Sequence, residues 1–372
     1  MILFISQNPY KSTSANIRNL SILEGLILNN EKVDLIFFSY GLRMISINNV
    51  EDLKVLKSQS NTTQKKSIKI ITFLKKILLN FMSSVFVHGK YFFLSYIPLR
   101  KLKLKKKYNL IISSSDPKNI HVLAFRIKKY YNIYCAVSQI WGDPFLTDIS
   151  RKSNIMIKKR IIKEEANIIN LADQVYYLSK MTSESQKKIF PQFSEKIKYF
   201  YPPFLNKVEY DINNFDKLNL LYLGDYFSSI RNLKNLYTSC LNENIDLTIV
   251  GASDINLRSN EKIKIFPRTH FNDLLKFEKS TNINVVVGNL KGNQIPGKLF
   301  QCFGSNKPTI LVCEPSQYDF FVTEFGHIRK LIICINENQN IINAIKEVSL
   351  LTSINGILES NFSSKKITKQ LL

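Results

Sequence analysis

Cysteine is scarce: five in 372 residues, Cys135, Cys240, Cys302, Cys313 and Cys334, with no C-x-x-C pair and no adjoining histidine. Odd in number and widely spaced, they exclude a disulfide framework and a zinc cluster, and they suit a reducing compartment. No metal is therefore expected. Long apolar runs are also missing, since none approaches the ~20 residues that span a bilayer. The chain opens on an apolar strand-like run, residues 1–5, without a basic leader or cleavage site, so no secretory signal is expected. G-x-G-x-x-G, Walker A, G-x-S-x-G and H-E-x-x-H are all absent, which argues against dinucleotide, P-loop, serine-hydrolase and zincin chemistry. Acid is short as well: 29 Asp and Glu face 52 Lys and Arg, a formal charge of +23.

What is present is enough to fold. Hydrophobic residues make up 45% of the chain, which rules out general disorder. The length suits two domains of about 150–200 residues. The charge is lopsided, net +20 over residues 1–200 and net +3 over 201–372. One half is therefore expected to face something anionic.

Short apolar runs at 2–6, 33–38, 110–113, 133–140 and 175–178 read as strands, and 14–28, 121–130 and 155–170 have helical spacing. The same grammar returns with strands at 218–223, 247–250, 263–266, 284–287 and 309–313. Helices at 232–241, 273–279, 296–303 and 341–351 alternate with them. Such alternation predicts an α/β chain of two doubly wound, Rossmann-like domains with parallel sheets, facing a central cleft. The expected boundaries are 1–200, a linker at 201–217 opened by Pro202 and Pro203, and 218–372, with the last helix a candidate to pack back on the N-terminal domain. Residues 65–107 break the pattern with 12 basic side chains and no Asp or Glu. They read either as an insertion docked on the first domain with solvated lysines, or as a membrane-surface element drawn to anionic lipid at ~1 kcal/mol per lysine. Nucleic acid is a third reading, but no groove-reading motif accompanies the charge.

The most specific stretch runs from Gly288 to Pro308. A buried strand enters a Gly-rich loop, and a helix starts near Pro296, a position suited to proline. Lys298 adds positive charge where backbone N–H groups favour anions, and Gln301 follows one turn later. A second unit, 221–233, has a tight turn at Gly224 and a helix-start Arg231 whose planar fork suits a diphosphate. Arg268 and His270 follow another strand. In the first half, Asp143 ends a strand and His121 begins a helix, each with capping or turn formation as the plainer role. Ser14 and Asn16 lie where the first strand-to-helix loop meets its helix, and Ser14 is also placed to cap it.

The 288–308 stretch resembles the donor-site signature of GT-B glycosyltransferases, above all family-4-like enzymes of the bacterial surface-polysaccharide type, written N-x-I-P-x-K-L-[FY]-E-Y-L-A-x-G-K-P. Asn293, Ile295, Pro296, Lys298, Leu299, Phe300, Lys307 and Pro308 keep that pattern, while Gln301 stands at its acidic position and Asn306 at its glycine. The 221–233 unit is similar to the first strand-loop-helix of the family's C-terminal domain, with Asp225 where many relatives have Arg. Residues 108–121 and 139–145 resemble S-S-S-x-P and D-x-R-D-P-W segments of the N-terminal domain, matching at Asp143 and Pro144. The resemblance implies transfer of a sugar from a nucleotide-diphosphate sugar to a glycan or lipid-linked saccharide, with retention and without a bound cofactor. Donor contacts would come from Gly224, Arg231, Arg268, Asn293, Ile295, Pro296, Gly297, Lys298, Leu299 and Gln301. Acceptor contacts would come from Ser14, Asn16, His121 and Asp143, and catalytic roles would fall to Lys298, Arg231 and Asp143. The expected place is cytoplasmic, peripheral on the anionic inner face of the cell membrane, with 65–107 as the anchor. A GT-B-fold nucleotide-sugar epimerase and a non-enzymatic basic membrane-binding module are the alternatives at this point.

Overall fold

A computed structural model of the chain describes residues 1–9, 13–38, 44–48, 50, 87–88, 91, 94, 96–100, 102, 104, 107–148, 155–210, 217–269, 271–351 and 359–372. The chain divides into two compact units, Met1–Tyr201 with Ser364–Leu372, and Pro202–Ser363.

In the first unit the elements run β1 (Ile2–Gln7), α1 (Ser14–Leu28), β2 (Val33–Phe38), β3 (Met44–Ile47), β4 (Leu110–Ser114), α2 (Ile120–Tyr130), β5 (Ala136–Trp141), α3 (Ile155–Asn170), β6 (Gln174–Tyr177), α4 (Lys180–Ile189) and β7 (Ile197–Tyr199). The sheet order is β3-β2-β1-β4-β5-β6-β7, parallel except for β3, which lies antiparallel at the edge. β1 is central, pairing Ile5 with Ile36 on one side and Ser113 on the other. Its first five residues are all buried, as a parallel strand covered on both faces requires. One face carries Ile2, Phe4, Leu23 and Leu35, and the other Leu3, Ile5, Ile36 and Leu123.

The second unit runs β8 (Asn219–Leu223), α5 (Lys234–Asn242), β9 (Asp246–Val250), β10 (Ile263–Phe266), α6 (Phe271–Lys279), β11 (Ile283–Val287), α7 (Gly297–Phe303), β12 (Thr309–Cys313), α8 (Pro315–Phe325), β13 (Leu331–Ile335) and α9 (Asn338–Leu351). Its six parallel strands are ordered β10-β9-β8-β11-β12-β13. Counted from β8 this is 3-2-1-4-5-6, the Rossmann order, with the switch point between β8 and β11. An aromatic cluster of Phe300, Phe303, Phe325 and Phe362 packs beneath α7, with ring centroids 4.7–6.3 Å apart.

The last helix, α10 (Ser364–Thr368), belongs to the first unit. Ile367 and Leu371 enter the same core as Leu23 and Leu26 of α1. A Cβ on Gly25 would lie 2.1 Å from Ser364 O, so only glycine admits the two helices this close. Asn29 seals the contact, donating to Lys365 O and Thr368 Oγ1, each at 2.8 Å.

Most of the 65–107 segment lies outside the described residues, as do the apolar positions 70–86 on which an acyl-facing surface would depend. At its C-terminal end Leu94, Leu99 and Leu102 are core residues, and Tyr131 donates its hydroxyl to Leu99 O and Leu102 O at 2.7 Å. That end is docked on the unit. No helix among the described residues is long and apolar enough to cross a membrane.

Candidate functional site

In the second unit the carboxyl ends of β8 and β11 meet where the strand order reverses, the place at which doubly wound sheets take ligands. Gly224 closes β8 with φ +147°, backbone that suits glycine. Arg231 spans the switch point. Its Nε donates to Asn289 Oδ1 at 3.1 Å, just past β11, and its Nη1 donates to Asp225 O at 3.0 Å, just past β8. Asn289, itself buried, donates onward to Gln294 O at 3.0 Å, and Leu290 N donates to Ile230 O at 2.8 Å. The Gly-rich loop is thereby tied beside the Arg231 helix start. Asn289 lies within the 288–308 stretch but has no local signal of its own, because its partner is 58 positions away.

Lys298 stands in the first turn of α7, partly buried and with no hydrogen-bond or ion-pair partner among the described residues. Burial pulls its ammonium below the ordinary lysine range. A desolvated, unpaired cation gains most from an anion. Asn293 and Ile295 are half-buried in the loop ahead of it, Pro296 is buried at the helix cap, and half-buried Gly297 is the first residue of the helix. Arg268, past β10, is exposed and pairs with Asp225 Oδ2 at 3.5 Å. His270 lies outside the described residues.

Two expected donor contacts are placed otherwise. Leu299 is wholly buried, its side chain in the core. Gln301 donates to Pro203 O at 3.2 Å and accepts from Leu205 N at 3.1 Å, so both ends of its amide hold the segment that enters the unit. Asn306 does the same, accepting from Tyr210 N at 2.9 Å and donating to Tyr210 O at 2.8 Å. The two departures from the family signature thus share one structural use, fastening residues 203–210.

In the first unit the switch point lies between β1 and β4, and the charged side chains gather just past β4 and β5. Arg18, from α1, donates to Ser115 O and lies 3.5 Å from Ser114 Oγ. Lys118 pairs with Asp116, and with Asp148 at 3.5 Å. Burial works against the Lys118 charge, but Asp116, Asp148 and Asp143 outweigh it and raise its pKa. Burial lowers Arg18 despite Asp116 and Asp143. Asp143 itself has no hydrogen-bond partner among the described residues. Burial first, and then the Asp116 carboxylate, push its pKa up to about 6 against the pull of Lys118 and Arg18. Behind it, buried Glu165 accepts from Phe145 N at 2.9 Å and Leu146 N at 2.8 Å, fixing the turn that presents Asp143.

The other acceptor candidates are placed differently from expectation. His121 is fully buried, its Nδ1 2.8 Å from Ser113 Oγ and its ring stacked on Trp141 at 4.8 Å. Burial, reinforced by Lys118 and Arg18, keeps it neutral by pulling its pKa well below the usual value. It is a core histidine. Thr13, not Ser14, caps α1, accepting from Asn16 N at 3.4 Å, and Ser14 is exposed. Asn16 is buried, and neither of its amide atoms has a hydrogen-bond partner among the described residues. Arg18, Asp116, Lys118 and Asp148 were not legible as site residues, since only the pairing of β4 with β5 assembles them. Among the described residues no group of three or more His, Cys, Asp or Glu is arranged to hold a metal ion.

These two Rossmann-like units define the fold as that of GT-B glycosyltransferases. No protein-family model and no curated protein matches the chain. Solved structures do. It is similar to an alpha-glucosyltransferase in complex with UDP at 11% identity and TM-score 0.54, over 99% of this chain and 95% of that one. The same enzyme has been solved with UDP and a 13-mer DNA, at 12% identity and TM-score 0.53, over 98% and 93%. The chain is also similar to Arabidopsis thaliana UGT89C1 complexed with UDP-L-rhamnose, at 9% identity and TM-score 0.50, over 100% and 97%.

Proposed function

We propose that the protein is a glycosyltransferase that moves a sugar from a nucleoside-diphosphate sugar, held at the β8/β11 switch point, to a glycan or lipid-linked saccharide held by the first unit. The observation that carries this reading is Arg231, fixed across the switch point with part of its fork unspent, beside a loop that leads to an unpaired Lys298. Two cations suit a diphosphate leaving group, whose developing charge they would stabilise without proton transfer. The solved neighbours, named with UDP or UDP-L-rhamnose, support a nucleotide-sugar donor. Retention of configuration, a role in bacterial surface-polysaccharide synthesis and membership of the family-4-like enzymes belong to the same proposal and rest on the 293–308 resemblance. A site on the inner face of the cell membrane rests on the net +20 of residues 1–200.

A thermal-shift screen with UDP-, GDP-, CMP- and dTDP-sugars tests the donor. A ligand at 100 times its Kd adds about 2.7 kcal/mol to the folded state. Stabilisation by one of them, lost in Arg231→Ala and Lys298→Ala, is the expected result. No stabilisation by any sinks the reading. Turnover of the sugar without an acceptor would point to an epimerase instead, and transfer to DNA would displace the glycan acceptor.

A further inference from the structure

Asp225 is the unexpected residue of the second unit, an acid where a diphosphate is to be bound. Its surroundings are rigid. Gly224 N donates to Val250 O at 2.9 Å and Tyr226 N to Ala252 O at 3.0 Å, so the backbone on both sides of Asp225 is fastened to the turn after β9. A Cβ on Gly251 would fall 2.0 Å from Gly224 O, which shows how closely the two turns are pressed. From that seat Asp225 makes four contacts, one of them from the Tyr222 hydroxyl, which donates to its carbonyl at 3.4 Å. Its Oδ1 accepts from Ala252 N at 3.0 Å, its Oδ2 faces Arg268 Nη1 at 3.5 Å, and its carbonyl accepts from Arg231 Nη1 at 3.0 Å. One residue therefore links two arginines, Arg231 of the loop that follows β8 and Arg268 of the loop that follows β10.

We propose that Asp225 is a positioning residue that brings Arg268 to the carboxyl end of β8 as a second arginine for the donor's diphosphate, alongside Arg231. The inference rests on the donor reading above. A guanidinium has five N–H donors in a fixed fork, and only one of its nitrogens is engaged here. Arg268 makes no other hydrogen bond or ion pair among the described residues, and its side chain is 63% exposed. The free edge of the fork is thus open to an incoming anion while Asp225 limits its swing. The carboxylate offsets one of the two arginine charges, and the phosphate oxygens would share Arg268 with it. Relatives with Arg directly after the glycine place a cation by sequence; this chain would place one by an ion pair across two turns.

The test uses the full chain and UDP, GDP and dTDP as probes, with Kd measured by calorimetry for wild type, Asp225→Asn, Arg268→Gln and the double variant. Asn keeps an oxygen for Ala252 N and removes only the charge that holds Arg268, so the melting temperature should stay near wild type. The expected result is a rise of about tenfold in Kd for either single variant, with the double variant no weaker than Arg268→Gln alone, because coupled residues are not additive. Unchanged or tighter binding by Asp225→Asn or by Arg268→Gln overturns the assignment. So does an Asp225→Asn effect that persists at full size in the Arg268→Gln background. If wild type binds none of the three probes, it is the donor reading that fails.

Discussion

Asp143, half-buried in the turn after β5, and Glu165, buried on α3 behind that turn, are neighbouring carboxyls; burial raises both, and Asp143 has no hydrogen-bond partner among the described residues. At about 6, Asp143 is ionised at neutral pH and able to accept a hydrogen bond from an acceptor hydroxyl. Activity, once a donor is found, is expected to rise through pH 6 and level off, and Asp143→Asn should lose that limb with kcat/KM down by about 100-fold. Glu165 acts on stability. Its folded pKa of about 7 lies above the ordinary 4.5, so the native state holds the proton more tightly than the unfolded chain does. The stabilisation is full below 4.5 and is lost as pH rises through 7, by about 3 kcal/mol. Urea midpoints at pH 5 and pH 8 should differ accordingly, with a smaller slope of the same sign from Asp143. Glu165→Gln should flatten the difference while lowering stability at pH 5, since one of the Phe145 and Leu146 amides loses its acceptor.

At the scale of the element, α7 depends on its far end. Lys330, almost fully buried, donates to Cys302 O at 3.3 Å, Phe303 O at 3.1 Å and Ser305 O, so one ammonium satisfies the carbonyls that end the helix. Lys330→Met should cost about 3 kcal/mol in urea unfolding and weaken donor binding, because Lys298 rides on the same seven-residue helix. Elements were legible where burial and hydrophobicity coincide. β12, Thr309–Cys313, is five buried residues, and the apolar run at 309–313 predicts it to the residue. α4, Lys180–Ile189, is not legible in the sequence because its buried face is Thr182, Ser183 and Gln186, which leaves no apolar period to detect. β7 has three residues and β3 is a four-residue antiparallel edge, each too short to stand out. In the site, Gly224 and Arg231 carried local signals, a turn and a helix start. Asp225, Asn289, Lys118 and Arg18 acquired theirs only from neighbours far along the chain.

For the whole molecule, the defining feature is that residues 364–372 complete the first unit. Ile367 and Leu371 bury two aliphatic side chains against α1, worth about 4 kcal/mol together. A chain ending at Ser363 should therefore melt lower in the first unit and leave the second nearly unchanged, which differential scanning calorimetry resolves as two transitions. Gly25→Val should reproduce the loss in the intact chain, since its side chain would meet Ser364 O. Because 202–363 stand between the two parts of the first unit, the units are nested rather than serial. A ribosome adding about 5–20 residues per second makes the first part wait on the order of ten to thirty seconds for its closing helix. Until then the apolar groove along α1 that receives Ile367 and Leu371 stays open, a natural station for a holding chaperone, while the younger unit can fold to completion first.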